Sequence, residues 1–381
     1  MPRSPLEIGI GIAGLLLLAT ILWDAFQTML VPRRIGRRFR LTTLFYDLSW
    51  QAWREMARGI RSTSRREGWL GHYAPLSVLI LLFVWASGLI LAFALIHYAV
   101  GTLADHGAGR FAMVTYLSAE TFFTLGYGDF TPGTMIGRWL SAFEAGTGFA
   151  FLGTVIGYLP TMYGAFSQRE VEITMMDGHA GSPPTAAEIL LRLPDTQRAV
   201  WMDARMRAWE RWSAILLEST ISYPLIAYYR SQHSNQSWLG TQLAMLDTTA
   251  LVLAGADGLG AQQAQLTFAM GRHALVDIAQ VFALRPPVQL IERLPAIELA
   301  RMRGHLDRIG IAVSDRSAFE SRLAQLRTEY EPYAQALADH LLIALPPFIH
   351  PAPRKDNWES APWDRALGTA PVVAVWDEEH F

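Results

Sequence analysis

The chain has 381 residues, enough for one or two domains, and 51% of them are hydrophobic while only 17% are charged. That balance points to a protein partly dissolved in lipid, and a net charge of -2 argues against a nucleic-acid binder, which would be basic overall. There is no cysteine, which excludes disulfides and thiolate metal sites.

Residues 6–31 form the first long apolar stretch, above the ~20 residues a bilayer requires. The stretch is too long for a cleaved leader, has no basic start beyond Arg3 and ends in Pro32-Arg33-Arg34, so region 1–32 reads as a retained membrane helix. Region 33–74 is a basic linker with Arg33, Arg34, Arg37, Arg38, Arg40, Arg54, Arg58, Arg61, Arg65 and Arg66. Short arginine-rich loops stay in the cytoplasm. That rule puts the N-terminus outside and everything after the third span inside. Within the linker Leu41, Leu44, Phe45, Leu48, Ala52, Met56 and Ile60 share one helical face. The segment reads as an interfacial linker helix packed on the pore domain, and a sensor of anionic lipid is the alternative.

Region 75–164 holds two further spans, 75–100 and 136–163. Between them, Arg110 to Phe123 is helix-compatible but too short to cross, which predicts a re-entrant half-helix. It leads into Thr124-Leu125-Gly126-Tyr127-Gly128-Asp129. Non-helical backbone at membrane depth is tolerated only where protein buries it or it lines a watery path. A pore for a bare cation must replace the ion's water with carbonyl oxygens, and aiming successive carbonyls at one axis needs positive φ at some positions. Glycine adopts positive φ at little cost. The run therefore reads as a selectivity filter: Thr124 adds a hydroxyl at the innermost site, and Leu125 and Tyr127 point into the wall.

These six residues resemble the T-V-G-Y-G-D signature of potassium channels, with leucine in place of valine. Ser118-Ala119-Glu120-Thr121 resembles the pore-helix S-x-E-T of the simplest bacterial members, and Arg138 after Gly137 resembles the start of their inner helix. The resemblance covers about 75–163. It implies a pore-loop channel passing K+, without a cofactor, in a bacterial inner membrane. It also implies that Glu120 and Asp129 share a proton behind the filter, with one pKa raised, and that Tyr116 takes the place of a tryptophan supporting Asp129. Gly148 and Gly153 fall at its hinge positions, and Phe149, Leu152 and Ile156 at cavity-lining ones. Pro160 removes a backbone donor and is expected to kink the inner helix near a gate. One filter loop per chain requires a homotetramer. Asp24, His97 and Glu144 are ionisable groups within spans. Asp24 is expected to reach toward nearby arginines and His97 to sit at the interface, while Glu144 has no evident partner. No span carries arginine at every third residue, so no voltage sensor is expected.

Region 165–345 is read as a helical cytoplasmic domain. A turn at Gly181–Pro184 and a capping box, Thr185 with Glu188, open it. Helical periodicity covers 195–222, 238–254, 259–284, 288–309 and 314–345, and Pro346 to Phe381 reads as a loosely held proline-rich tail. Gly255-Ala-Asp-Gly258-Leu-Gly260 lies between helices and reads as a turn, not a dinucleotide fingerprint. His273 and Asp277 have i,i+4 metal-ligand spacing, though such a pair is more often a surface contact, and Glu218, His233 and Asp247 are further candidates. No nucleophile–base set is evident, so no catalytic residue is assigned. The expected fold is a membrane all-α protein: three transmembrane helices, a re-entrant pore helix and filter, then a helical cytoplasmic domain open to an unknown small-molecule regulator. The alternative is a metabolite- or metal-sensing receptor, or a signalling enzyme, fused to a cation pore.

Overall fold

The computed structural model describes residues 4–31, 40–103, 109–194, 196–233, 235–256, 258–313, 315–351 and 356–357. Arg33, Arg34, Arg37 and Arg38 of the basic linker lie outside the described residues, as does most of the proline-rich tail. Among the described residues the fold is all helix, with no strand beyond a single bridge between Ala256 and Val313. Three helices, α1 (Pro5–Met29), α3 (Thr63–Val100) and α5 (Met135–Ala180), are long and apolar enough to cross a membrane. α2 (Leu41–Arg58) and α4 (Arg110–Phe122) lie between them. The chain divides into two compact units: Met1–Met56 with His72–Tyr163, and Ala57–Gly71 with Gly164–Phe381. The end of the basic linker, Ala57–Gly71, which takes in the last two residues of α2 and the opening of α3, thus belongs with the second unit.

In the first unit α1 and α3 meet along small residues. A Cβ on Gly14 would stand 2.8 Å from the Ala92 carbonyl, and one on Gly88 would overlap Ile21. Close backbone approach of this kind holds helices together where lipid removes the hydrophobic drive. Around the seam Leu18, Ile21, Trp85, Leu89 and Phe93 form the interior. Asp24 finds its partners among the described residues in Thr42 and Trp85. It is buried and accepts from the Thr42 backbone N–H (3.2 Å), the Thr42 hydroxyl (2.6 Å) and the Trp85 indole (3.0 Å). A carboxylate this deep is tolerated because its lone pairs are filled, and the result fastens the start of α2 to α1 and α3. α2 turns Trp50 and Trp53 onto Tyr73 (4.8 and 5.9 Å between rings) and leaves Leu41, Leu44, Leu48 and Met56 exposed.

The second unit centres on α8 (Trp238–Ala254), which is buried from Trp238 to Val252. α8 packs against α9 (Ala261–Val281), α11 (Arg316–Thr328) and the short α6 (Ala186–Leu191), while α7 (Arg198–Ser222) lies on α9. α10 (Ala296–Arg308) and α12 (Glu331–Leu341) complete the unit. Two expected helices change. The one at 288–309 begins only at Ala296, because Pro295 pushes the residue before it out of helical space. The one at 314–345 breaks into α11 and α12 around Tyr330, and Pro332 sits in the first turn of the new helix. Only half of the expected capping box forms: the Thr185 hydroxyl accepts from the Glu188 N–H (3.2 Å), but the Glu188 carboxylate goes to Arg192 (3.2 Å). α5 runs on to Ala180, past the end expected near 163.

The start of the proline-rich tail is not loose. Phe348 and Ile349 are buried, the Phe348 carbonyl accepts from the Ala187 N–H, and the guanidinium of Arg293 lies 4.9 Å over the Phe348 ring. Arg293 also pairs with Asp247 through two bonds (3.2 and 2.7 Å), meets Glu331 (3.1 Å) and donates to the Pro346 carbonyl (2.7 Å), so one side chain gathers α8, α12 and the tail. Burial works against the Arg293 charge, but Asp247 outweighs it and raises its pKa.

Candidate functional site: a pore loop and its backing

α4 ends at Phe122, two residues before Thr124, so the negative end of its dipole lies where the loop begins. The Leu125 N–H bonds back to the Glu120 carbonyl (2.8 Å) and the Thr124 N–H to the Thr121 carbonyl (3.1 Å), which ties the loop to the last turn of α4. Thr124, Gly126 and Gly128 have φ of 56°, 60° and 79°, while Leu125 and Tyr127 between them stay negative. The handedness therefore alternates residue by residue. The glycines meet this at little cost, but Thr124 is β-branched, and its left-handed conformation is a strained position that the sequence did not advertise. Leu125 and Tyr127 are exposed in the single subunit.

Glu120, on α4, is buried, and its Oε2 has no hydrogen-bond partner. Burial first, and then the nearby Asp129 carboxylate, push the Glu120 carboxyl above its usual range. Asp129 accepts from the Phe130 N–H (3.1 Å). Tyr116 stands against Phe130 edge to face (5.9 Å), close to the Asp129 carboxylate. Glu120, Tyr116 and Asp129 thus sit together behind the loop.

α5 carries the residues expected at the gate, hinge and cavity. Phe149, Leu152 and Ile156 are exposed in the subunit, and the helix continues through Pro160 unbroken. Gly148 and Gly153 differ. A Cβ on Gly148 would overlap the Phe122 carbonyl, whereas one on Gly153 would meet nothing. Gly148 is required for the approach of α5 to the end of α4, and only Gly153 is sterically free to act as a hinge.

Glu144 has partners after all. Its Oε2 lies 3.0 Å from His97 Nε2, its Oε1 accepts from the Ser118 hydroxyl, and His97 Nδ1 meets the Thr102 hydroxyl at 2.7 Å. His97 is fully buried within the protein. The cluster joins α3, α4 and α5 behind the pore loop. An ionisable residue in an apolar span was a sufficient signal for Glu144. Its partners, 47 and 26 positions away in sequence, were beyond any periodicity argument.

The segment holding this loop has a family. Residues 77–164 match the ion channel family model Ion_trans_2. This part of the chain is an ion-channel domain. No curated protein and no solved structure matches the chain. The match ends at residue 164, where the second unit resumes at Gly164.

In the second unit His273 and Asp277 stand 3.8 Å apart on α9, and among the described residues no group of three His, Cys, Asp or Glu could hold a metal. Asp247 is the structural partner of Arg293, and Glu218 accepts from Ser222 (2.8 Å), so neither joins His233 in a site. The glycine run between α8 and α9 is a turn with positive φ at Gly255, Gly258 and Gly260, and Asp257 lies outside the described residues.

Proposed function

We propose that the chain forms a potassium-selective channel, a homotetramer in which four copies of Thr124–Gly128 surround one axis and replace the water of a K+ ion. The alternation of φ at Thr124, Gly126 and Gly128 carries this reading, because alternating handedness turns successive carbonyls toward the same side. The ion-channel domain supports the pore, and the T-L-G-Y-G-D sequence supports the ion. Phe149, Leu152 and Ile156 then line the cavity. The exposed apolar residues of α2 face the inner leaflet, where anionic lipid meets the flanking arginines. The N-terminus lies outside a bacterial inner membrane, and the second unit lies in the cytoplasm as a regulator.

The test is flux in proteoliposomes with bi-ionic reversal potentials, alongside the mass of the purified assembly. A reversal potential strongly favouring K+ and a fourfold mass are expected, with flux lost on Gly126→Ala. Equal K+ and Na+ permeability, or a mass other than fourfold, overturns the proposal.

A further inference from the structure

The second unit contains a cavity of about 610 Å³. All of its lining belongs to that unit: the opening of α3, the turn at Pro183 and Pro184, the stretch around 229–240 and the segment 343–347. Its volume falls in the ~300–1,000 Å³ range of small-molecule sites.

Two guanidinium groups line it, Arg66 and Arg230, with one carboxylate, Glu67. Arg230 is held in place: its Nη2 donates to the Leu341 and Leu342 carbonyls (2.6 and 3.2 Å), and its Nε lies 3.6 Å from Glu67. Burial pushes the Arg230 guanidinium down and the like charge of Arg66 adds to that, only partly offset by Glu67. The Nε of Arg66 is buried and has no hydrogen-bond partner. An orphaned donor on a buried cation costs stability unless something completes it. The wall adds the hydroxyl of Ser64, while the Ser231 hydroxyl already donates to Glu170 (3.2 Å), and Pro183 and Trp238 supply apolar surface.

The geometry points to a phosphate-bearing organic anion in this cavity, held between Arg66 and Arg230. The oxygens of a phosphate group are arranged tetrahedrally, so two planar guanidinium forks and a hydroxyl donor can approach from different sides at once, whereas the two oxygens of a carboxylate lie in one plane. The anion could be the headgroup of a phospholipid or a soluble phosphate ester, which share this chemistry. The inference names a ligand class for the regulator proposed above. It rests on that reading only for its effect on flux, because binding can be measured without conduction.

The full-length protein in neutral detergent would be melted with inorganic phosphate, glycerol 3-phosphate or dioctanoylphosphatidylglycerol, against sodium chloride of matched ionic strength and sodium succinate. A phosphate probe is expected to raise the melting temperature in a saturable way, and Arg66→Gln to weaken that response roughly tenfold, the scale of a lost charge-assisted hydrogen bond. Because Arg66 repels Arg230 and its Nε bonds nothing, Arg66→Gln without ligand should melt no lower than the wild type. That separates a binding role from a structural one. A response to the lipid alone identifies a headgroup site, and a response to glycerol 3-phosphate alone identifies a soluble ligand. No response to any phosphate probe, an equal response to succinate, or an unchanged response in Arg66→Gln overturns the proposal. If binding succeeds but proteoliposome flux ignores the probe, the regulatory reading fails and the binding site stands.

Discussion

Gly148 and Gly153 are five residues apart on one helix, and nothing in the local sequence tells them apart. Both fit a hinge by resemblance, yet only Gly148 faces a neighbour that no side chain could share space with, the Phe122 carbonyl. Gly148→Ala should therefore cost about 1–3 kcal/mol, the usual range for forcing a methyl into a packed contact. Gly153→Ala should be neutral or stabilising by up to about 1 kcal/mol, since alanine is the better helix former. Melting of the purified variants in detergent, read beside their flux, checks both. A Gly153→Ala channel that is stable but gates differently would mark Gly153 as the hinge. At the same scale Thr124 is the surprise, because threonine at positive φ contradicts every local preference and only the loop geometry explains it.

Among elements, those with strong local signals were legible and those set by distant contacts were not. Trp238–Ala254 was readable to the residue, since a Ser237 cap opens it and Gly255 closes it. The run Thr124–Asp129 was readable as a loop between helices, because its glycines and aspartate suit neither a helix nor a strand. The break at Tyr330, the late start of α10 and the docking of Phe348 were missed, although the prolines were in view, because a periodic apolar face continues across each gap. Arg293 is the clearest case. Nothing in its neighbourhood predicts that it joins α8, α12 and the tail through Asp247, Glu331 and Pro346. Arg293→Met should leave Asp247 buried without its counter-charge and cost about 3–5 kcal/mol, while the double variant Arg293→Met/Asp247→Leu should recover much of that loss. Limited proteolysis of the full chain would report it as earlier cleavage within the second unit. Equal resistance of wild type and Arg293→Met would show that the pair contributes little.

For the molecule as a whole, acid acts on the fold through a histidine of the second unit. His305 on α10 is held below its ordinary value by burial first and then by Arg308 and Arg301, and its Nδ1 is buried without a partner. The folded chain thus keeps this imidazole neutral where the unfolded chain would protonate it. Its contribution to stability is complete above about pH 6.5, the unfolded value, and is lost as pH falls through the lower folded value. The melting temperature of the wild type should accordingly drop more than that of His305→Gln between neutral and mildly acidic pH. Parallel curves would remove His305 from the account.

The cluster of Glu144, His97 and Ser118 has a further consequence for anyone who rebuilds this pore. An acid, an imidazole and a hydroxyl contributed by three different helices form a lock whose parts cannot be exchanged singly. A chimera that borrows the filter loop alone would set it on a foreign backing, so a working transplant must carry α3, α4 and α5 together as one cassette.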